Sequence, residues 1–143
     1  MDQLPFIALI PVREGPAAGC VVIYPDGREV RRYCSVEKYM GTVASFLGNN
    51  NRTCRKLFQG KRGTGIRLND GSIFVQVKLS PAAPTLGYVR LDAIAGLCSD
   101  EQGKGVILLK NDKLLKTFWS LETIDRHMRM VRQKLEDMEL PAL

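Results

Sequence analysis

Apolar and polar positions alternate in short bursts along most of this chain, and only two stretches break that rhythm. Three segments share one form, a pair of short apolar runs separated by turn residues, and each predicts a β-hairpin. Cys20-Val-Val-Ile-Tyr24 and Arg28-Glu-Val-Arg-Arg-Tyr33 flank Pro25-Asp26-Gly27, where proline presets one turn dihedral and glycine accepts a positive φ. Gly65-Ile-Arg-Leu68 and Ser72 to Leu79 flank Asn69-Asp70-Gly71. In that hairpin Ile73, Val75, Val77 and Leu79 alternate with Phe74, Gln76 and Lys78, the period of a strand with one buried face. Val106 to Leu109 and Leu114 to Trp119 flank Lys110-Asn-Asp-Lys113. Phe6 to Val12 and Gly87 to Ile94 read as further strands, the latter after a proline-rich connection at Ser80 to Pro84.

The two exceptions have helical spacing. From Ser35 to Leu47, apolar Val36, Tyr39, Met40, Val43, Phe46 and Leu47 recur at steps of three and four, with Ser35 as N-cap and Gly48 as terminator. From Leu121, the residues Ile124, Met128, Val131, Leu135 and Met138 continue the same spacing, with Ser120 as N-cap and Pro141 beyond the end. The polar side of this second helix carries Arg126, Arg129, Arg132 and Lys134. Its apolar stripe suits docking on a sheet, and the heptad-like seam also suits a dimer interface. The pattern predicts an α+β fold: mainly antiparallel β-sheet built of hairpins, one short internal helix and a C-terminal amphipathic helix. It reads as one domain over 1–143, with a loop at 48–65 and the last helix at 121–138.

Composition adds one fact of consequence. The 143 residues are 45% hydrophobic and 25% charged, ordinary for a globular domain with a real core, and the formal charge is +6. That excess is local. Between Tyr39 and Asn69 there is no Asp or Glu, while Arg52, Arg55, Lys56, Lys61, Arg62 and Arg67 lie in the same window. Six cations with no anion equal the excess of the whole chain. A concentrated block of this kind makes a field that recruits anions, which a dispersed charge does not.

Other chemistry is sparse. Asp2, Pro5 and Pro11 spoil the start as an export signal or a membrane span, which points to a cytoplasmic protein with no membrane partner. Cys20, Cys34, Cys54 and Cys98 form no C-x-x-C pair, and His127 is the single histidine, so no metal site is expected and reduced thiols are. Gly60-Lys-Arg-Gly-Thr-Gly65 lacks the spacing of a P-loop. His127 reads as a helix-surface residue. No Ser, Cys or Lys has a nucleophile's context and no carboxylate pair stands out, so neither catalytic residues nor a cofactor is expected, and the chain does not read as an enzyme.

The loop itself has the residue types that nucleic-acid contact needs. Guanidinium groups suit phosphate bidentately and are drawn into a narrow minor groove. Asn49, Asn50 and Asn51 can donate and accept at base edges or phosphates, and the glycines let backbone N–H groups approach an anion. The candidate site is therefore Asn49, Asn50, Asn51, Arg52, Arg55, Lys56, Lys61, Arg62 and Arg67. Duplex DNA and RNA both fit this chemistry.

The order of these features resembles the competence transcription factor (ComK) family. Phe46-Leu-Gly48-Asn-Asn50 and Gly60-Lys-Arg62-Gly-Thr64 stand where that family has an aromatic-glycine-small-small segment followed by Gly and Arg/Lys-rich residues. Gly87-Tyr88-Val89 matches its glycine-aromatic-aliphatic strand, and Ser120 to Arg129 its last shared stretch. The family's serine pair after the first glycine is asparagine here. The resemblance implies a cytoplasmic activator that recognises A/T-rich double-stranded DNA through the minor groove as a homo-oligomer, with room for a regulatory protein partner. A protein-interaction module, using the basic loop and the last helix against an acidic partner, is the alternative from a different class.

Overall fold

The computed structural model describes residues 6–14, 17–46, 65–68, 71–81 and 86–139. Its strands fall into three antiparallel meanders of three. The first is β1 (Ala8–Glu14), β2 (Ala17–Ile23) and β3 (Glu29–Arg32); the second is β4 (Gly65–Arg67), β5 (Ile73–Val77) and β6 (Gly87–Arg90); the third is β7 (Ile94–Ser99), β8 (Lys104–Leu109) and β9 (Leu114–Ser120). Helix α1 (Val36–Phe46) follows the first meander and helix α2 (Leu121–Glu139) the third. The chain is thus mixed α+β, mostly antiparallel sheet, with one short internal helix and one C-terminal helix.

The first two meanders fuse into one six-stranded sheet of order β3-β2-β1-β6-β5-β4, through pairing of Ala8 with Val89 and Leu9 with Tyr88. The third stands apart as a sheet of order β7-β8-β9. Turn chemistry sets the hairpins as the sequence suggests. Gly27 has φ 90° and donates to the Tyr24 carbonyl at 2.9 Å, while the Asp26 carboxylate accepts from the Arg28 N–H. Asp112 takes φ 70° at the β8–β9 turn, held by the Asn111 side chain accepting from Lys113 N–H at 3.0 Å. Both helices are capped as predicted: Ser35 Oγ accepts from Lys38 N–H at 3.1 Å and Ser120 Oγ from Thr123 N–H at 3.2 Å.

Each face of the large sheet has its own core. On one side Leu9, Cys20, Val22, Phe74 and Tyr88 pack with Phe6 beneath Val36, Met40 and Ala44 of α1. The Phe6 ring stacks on Phe74 at 5.1 Å and meets Tyr39 edge-on at 5.7 Å. On the other side Ala8, Ile23, Val75, Val77 and Val89 pack against Ile107, Leu109 and Leu115 of the small sheet and Ile124, Met128 and Val131 of α2. The strand at Ile73–Val77 is therefore covered on both faces, where its alternation suggested one: Phe74 and Val75 are both 0% exposed.

Two boundaries also differ from the sequence reading. The expected strand from Gly87 to Ile94 ends at Arg90; Leu91–Ala93 form one turn of 3-10 helix, and Ile94 opens β7 in the other sheet. The turn lets the chain change layers, and it is held by Arg90 Nε on Asp92 at 2.9 Å and by Lys110 N–H donating to the Ala93 carbonyl. β7 itself, Ile-Ala-Gly-Leu-Cys-Ser, has no apolar alternation that marks it as a strand in the sequence. Its hairpin to β8 depends on Asp100, whose carboxylate accepts from the N–H groups of Gln102 and Lys104.

Where the chain re-enters the large sheet at Gly65, a Cβ would run into the Phe74 carbonyl oxygen and crowd Val131 of α2. Glycine is required there by close approach. Ile124→Ala, which empties a fully buried position where α2 meets the sheets, is expected to lower the unfolding free energy in urea by about 2–4 kcal/mol, whereas Leu114→Ala at an exposed position shifts it by less than about 0.5 kcal/mol.

Candidate nucleic-acid interface

The basic segment is tethered at two defined points. α1 ends at Phe46, 64% exposed, on one face of the large sheet; the chain resumes at Gly65 in β4, the strand at one edge of that sheet. Asn49, Asn50, Asn51, Arg52, Arg55, Lys56, Lys61 and Arg62 lie outside the described residues. Arg67 lies within them. It is half-buried in β4 and pairs in register with Ile73. Side chains two apart on a strand share a face, and Gly65 abuts Val131, so Arg67 stands on the α2 side of the sheet edge. Arg126, Arg129, Arg132 and Lys134 are exposed on α2 itself, with Arg129 paired to Asp125 at 2.7 Å. Arg67 thus stands at the edge of the sheet face that α2 covers, while the α2 cations stand on the exposed side of that helix.

A second concentration of cations, missed in the sequence, lies at the opposite edge. The Arg28 guanidinium stands 4.4 Å from the Tyr24 ring centroid, and that of Arg31 stands 5.8 Å from the Tyr33 ring, which is 86% exposed. Hydrogen bonding to Tyr24 is the main cause that raises the Arg32 guanidinium above its ordinary value, with Tyr39 acting in the same sense. Burial pushes the Tyr39 hydroxyl up as well, and the Arg32 charge works against that. In the sequence this cluster is hidden by Asp26 and Glu29 between and beside the arginines. In the fold Asp26 is drawn to Arg28 and Glu29 to Lys113 on the far side of a hairpin turn. The visible signal is Tyr24, Arg28 and Arg32 at steps of four, with Tyr39 following on α1.

A groove of about 430 Å³ lies between the β2–β3 turn and the β8–β9 turn and is lined by Ile7, Pro25, Arg90, Asp92, Ala93, Lys110 and Asn111. Its charged pair is the Arg90–Asp92 ion pair that holds the 3-10 turn, so its polar groups serve the fold. His127, on α2, is half-buried with its ring 4.5 Å from that of Trp119. Among the described residues no three His, Cys, Asp or Glu side chains converge on a point that could hold a metal, and no helix is long and apolar enough to cross a membrane.

No protein-family model, no curated protein and no solved structure gives a significant match to the chain.

One electrostatic feature borders the Tyr24, Arg32 and Tyr39 cluster. Burial, first, and contact with Cys34 push the Cys20 thiol from its ordinary 9.0 up to about 11, against the lowering effect of Arg32 and Arg31. A thiol whose folded pKa is raised favours the native state below its unfolded pKa, and that contribution disappears as pH rises through the folded value. Stability from this group should be intact below pH 9 and lost on approaching pH 11. Urea unfolding between these limits should show the fall, and Cys20→Ala should flatten it.

Proposed function

We propose that this chain is a sequence-selective DNA-binding regulator that contacts A/T-rich duplex DNA through the Asn/Arg/Gly-rich segment at 48–65. The observation that carries the reading is the segregation of charge. Six cations lie in an acid-free window, and the one of them within the described residues, Arg67, stands at the edge of the sheet face that α2 covers. A duplex presents closely spaced phosphates and needs such a spread of cations. Arginines in the segment would enter the narrow minor groove of an A-tract, and the three asparagines would add contacts to base edges. The resemblance to the competence factor family points the same way, toward a cytoplasmic activator that acts as a homo-oligomer and answers to a regulatory protein partner.

One observation favours a second reading. Leu108, Leu114 and Phe118 are exposed on the outer face of the small sheet, away from α2. An apolar face of this kind suits an adaptor that docks a protein partner.

Electrophoretic mobility shifts across a salt series separate the two. Binding to an A/T-rich duplex should weaken with a log–log slope of about 0.9 per phosphate contact. Arg52→Ala, Arg55→Ala and Arg62→Ala made together should flatten the slope by about 2–3 and weaken binding at least about tenfold at low salt. No shift at low salt, or an unchanged slope in the triple variant, overturns the DNA reading. One stoichiometric protein partner retained after nuclease treatment, with no DNA shift, favours the adaptor.

A further inference from the structure

The outer face of the small sheet carries apolar and basic side chains in a regular pattern. The ladders set Gly96, Leu108 and Leu114 in one row across β7, β8 and β9, and Cys98, Val106 and Lys116 in the next. Phe118 follows two residues beyond Lys116, on the same side of β9. Of the five large apolar side chains exposed among the described residues, three share this face: Leu114 at 59%, Phe118 at 38% and Leu108 at 37%. Val106 is buried yet belongs to neither core, so its cover comes from its neighbours on the outer side. Gly96 has open space where a Cβ would stand and no positive φ, so neither packing nor backbone demands glycine there; its effect is to leave Leu108 bare on the β7 side. The charges are of one sign. No Asp or Glu lies in β7, β8 or β9, whose charged residues are Lys104 and Lys116, both exposed. The adjoining acids Asp100, Glu101 and Asp112 lie in the two turns, and the Asp100 carboxylate is engaged by the N–H groups of its own hairpin.

We propose that this face docks an acidic amphipathic helix of a partner protein, its apolar stripe over Leu108, Leu114 and Phe118 and its carboxylates on Lys104 and Lys116. The inference rests on the second of the two readings above and supplies the chemistry of its partner. Leu114 and Phe118 are four residues apart on one strand, about 13 Å at roughly 3.3 Å per residue. A helix with apolar residues at i, i+4 and i+8 spans about 12 Å, so its stripe meets both ends of that row. Lys116 lies midway between them, where a carboxylate flanking the stripe reaches it. The sheet's inner face is already covered in this manner, by Ile124 and Met128 of α2. Charge decides the occupant. A symmetric contact with a second copy would bring Lys104 and Lys116 of both chains to one seam, like charge against like. A duplex backbone would satisfy the lysines and leave Leu108, Leu114 and Phe118 in water. The exposed apolar area is small, which places the contact in the weak, transient class.

The test titrates the isotope-labelled full chain with a synthetic helical peptide that has Leu at i, i+4, i+8 and i+11, Glu on both flanks and Ala elsewhere, and with the same peptide carrying Lys for Glu. Amide shifts should move along residues 95–118 with the Glu peptide, leave α1 unmoved, and be absent with the Lys peptide. Leu114→Ala, at an exposed position that the fold does not need, should weaken the Glu peptide about fivefold or more. Lys104→Glu and Lys116→Glu made together should reverse the preference in favour of the Lys peptide. Equal binding of both peptides, shifts centred elsewhere, or no effect of Leu114→Ala would overturn the proposal. So would self-association of the chain alone that Leu114→Ala abolishes, or binding to phosphatidylserine vesicles through this face with no response to the Glu peptide. A protein partner that survives nuclease treatment and is lost in Leu114→Ala, while the Glu peptide does not bind, would leave the adaptor reading standing and overturn the acidic helix.

Discussion

Phe74 and Val75 are neighbours on one strand, point to opposite faces of the sheet, and are both fully buried. The whole architecture answers that constraint. A sheet apolar on both faces through β1, β6 and β5 must be covered twice, since each exposed face of Ile, Val, Leu and Phe would forfeit about 25 cal/mol for every Å² left in water. One cover is α1, only three turns long but set directly over Phe6, Phe74 and Val22. The other is composite, the small sheet and α2 together, tied to the large sheet by Ile107, Leu109, Ile124 and Val131 and by the Phe118 N–H donating to the Lys78 carbonyl. The arrangement also dictates where the basic segment departs and returns: it leaves from the α1 side and comes back at the β4 edge, beneath α2.

The local signals were legible because they are chemical. Pro25-Asp26-Gly27, Lys110 to Lys113, and the serines at 35 and 120 each satisfy a backbone need that only a few residue types can meet, and the structure uses all of them as turns or caps. Long-range facts were not legible. Whether Phe74 faces solvent or a helix depends on α1 folding back over it, which no period of two can say. β7 escaped because Gly96, Cys98 and Ser99 carry no apolar alternation, and the pairing with β8 alone makes them a strand. The split into two sheets follows from the Leu91–Ala93 turn, three residues whose sequence continues the preceding strand pattern.

The same distinction applies to charge. The acid-free window could be found by counting along the chain, and Arg67 falls at the edge of the sheet face that α2 covers. The arginines of the β3 edge could not be found that way, because acids are interleaved with them and only folding draws Glu29 to Lys113. That edge also runs through the bend at Tyr33 and Cys34 into the cap of α1, so one corner of the molecule carries the aromatic–cation contacts and the start of that helix.

The central claim is that anion binding is localised to the acid-free window and the α2 layer. Hydrogen–deuterium exchange with and without an A/T-rich duplex measures that most directly. The account predicts slowed exchange in peptides covering 48–67, accompanied by the exposed side of α2, with the outer face of β8 and β9 unchanged. Slowed exchange confined to residues 106–118, or no change over 48–67 at a duplex concentration that saturates binding, would contradict it.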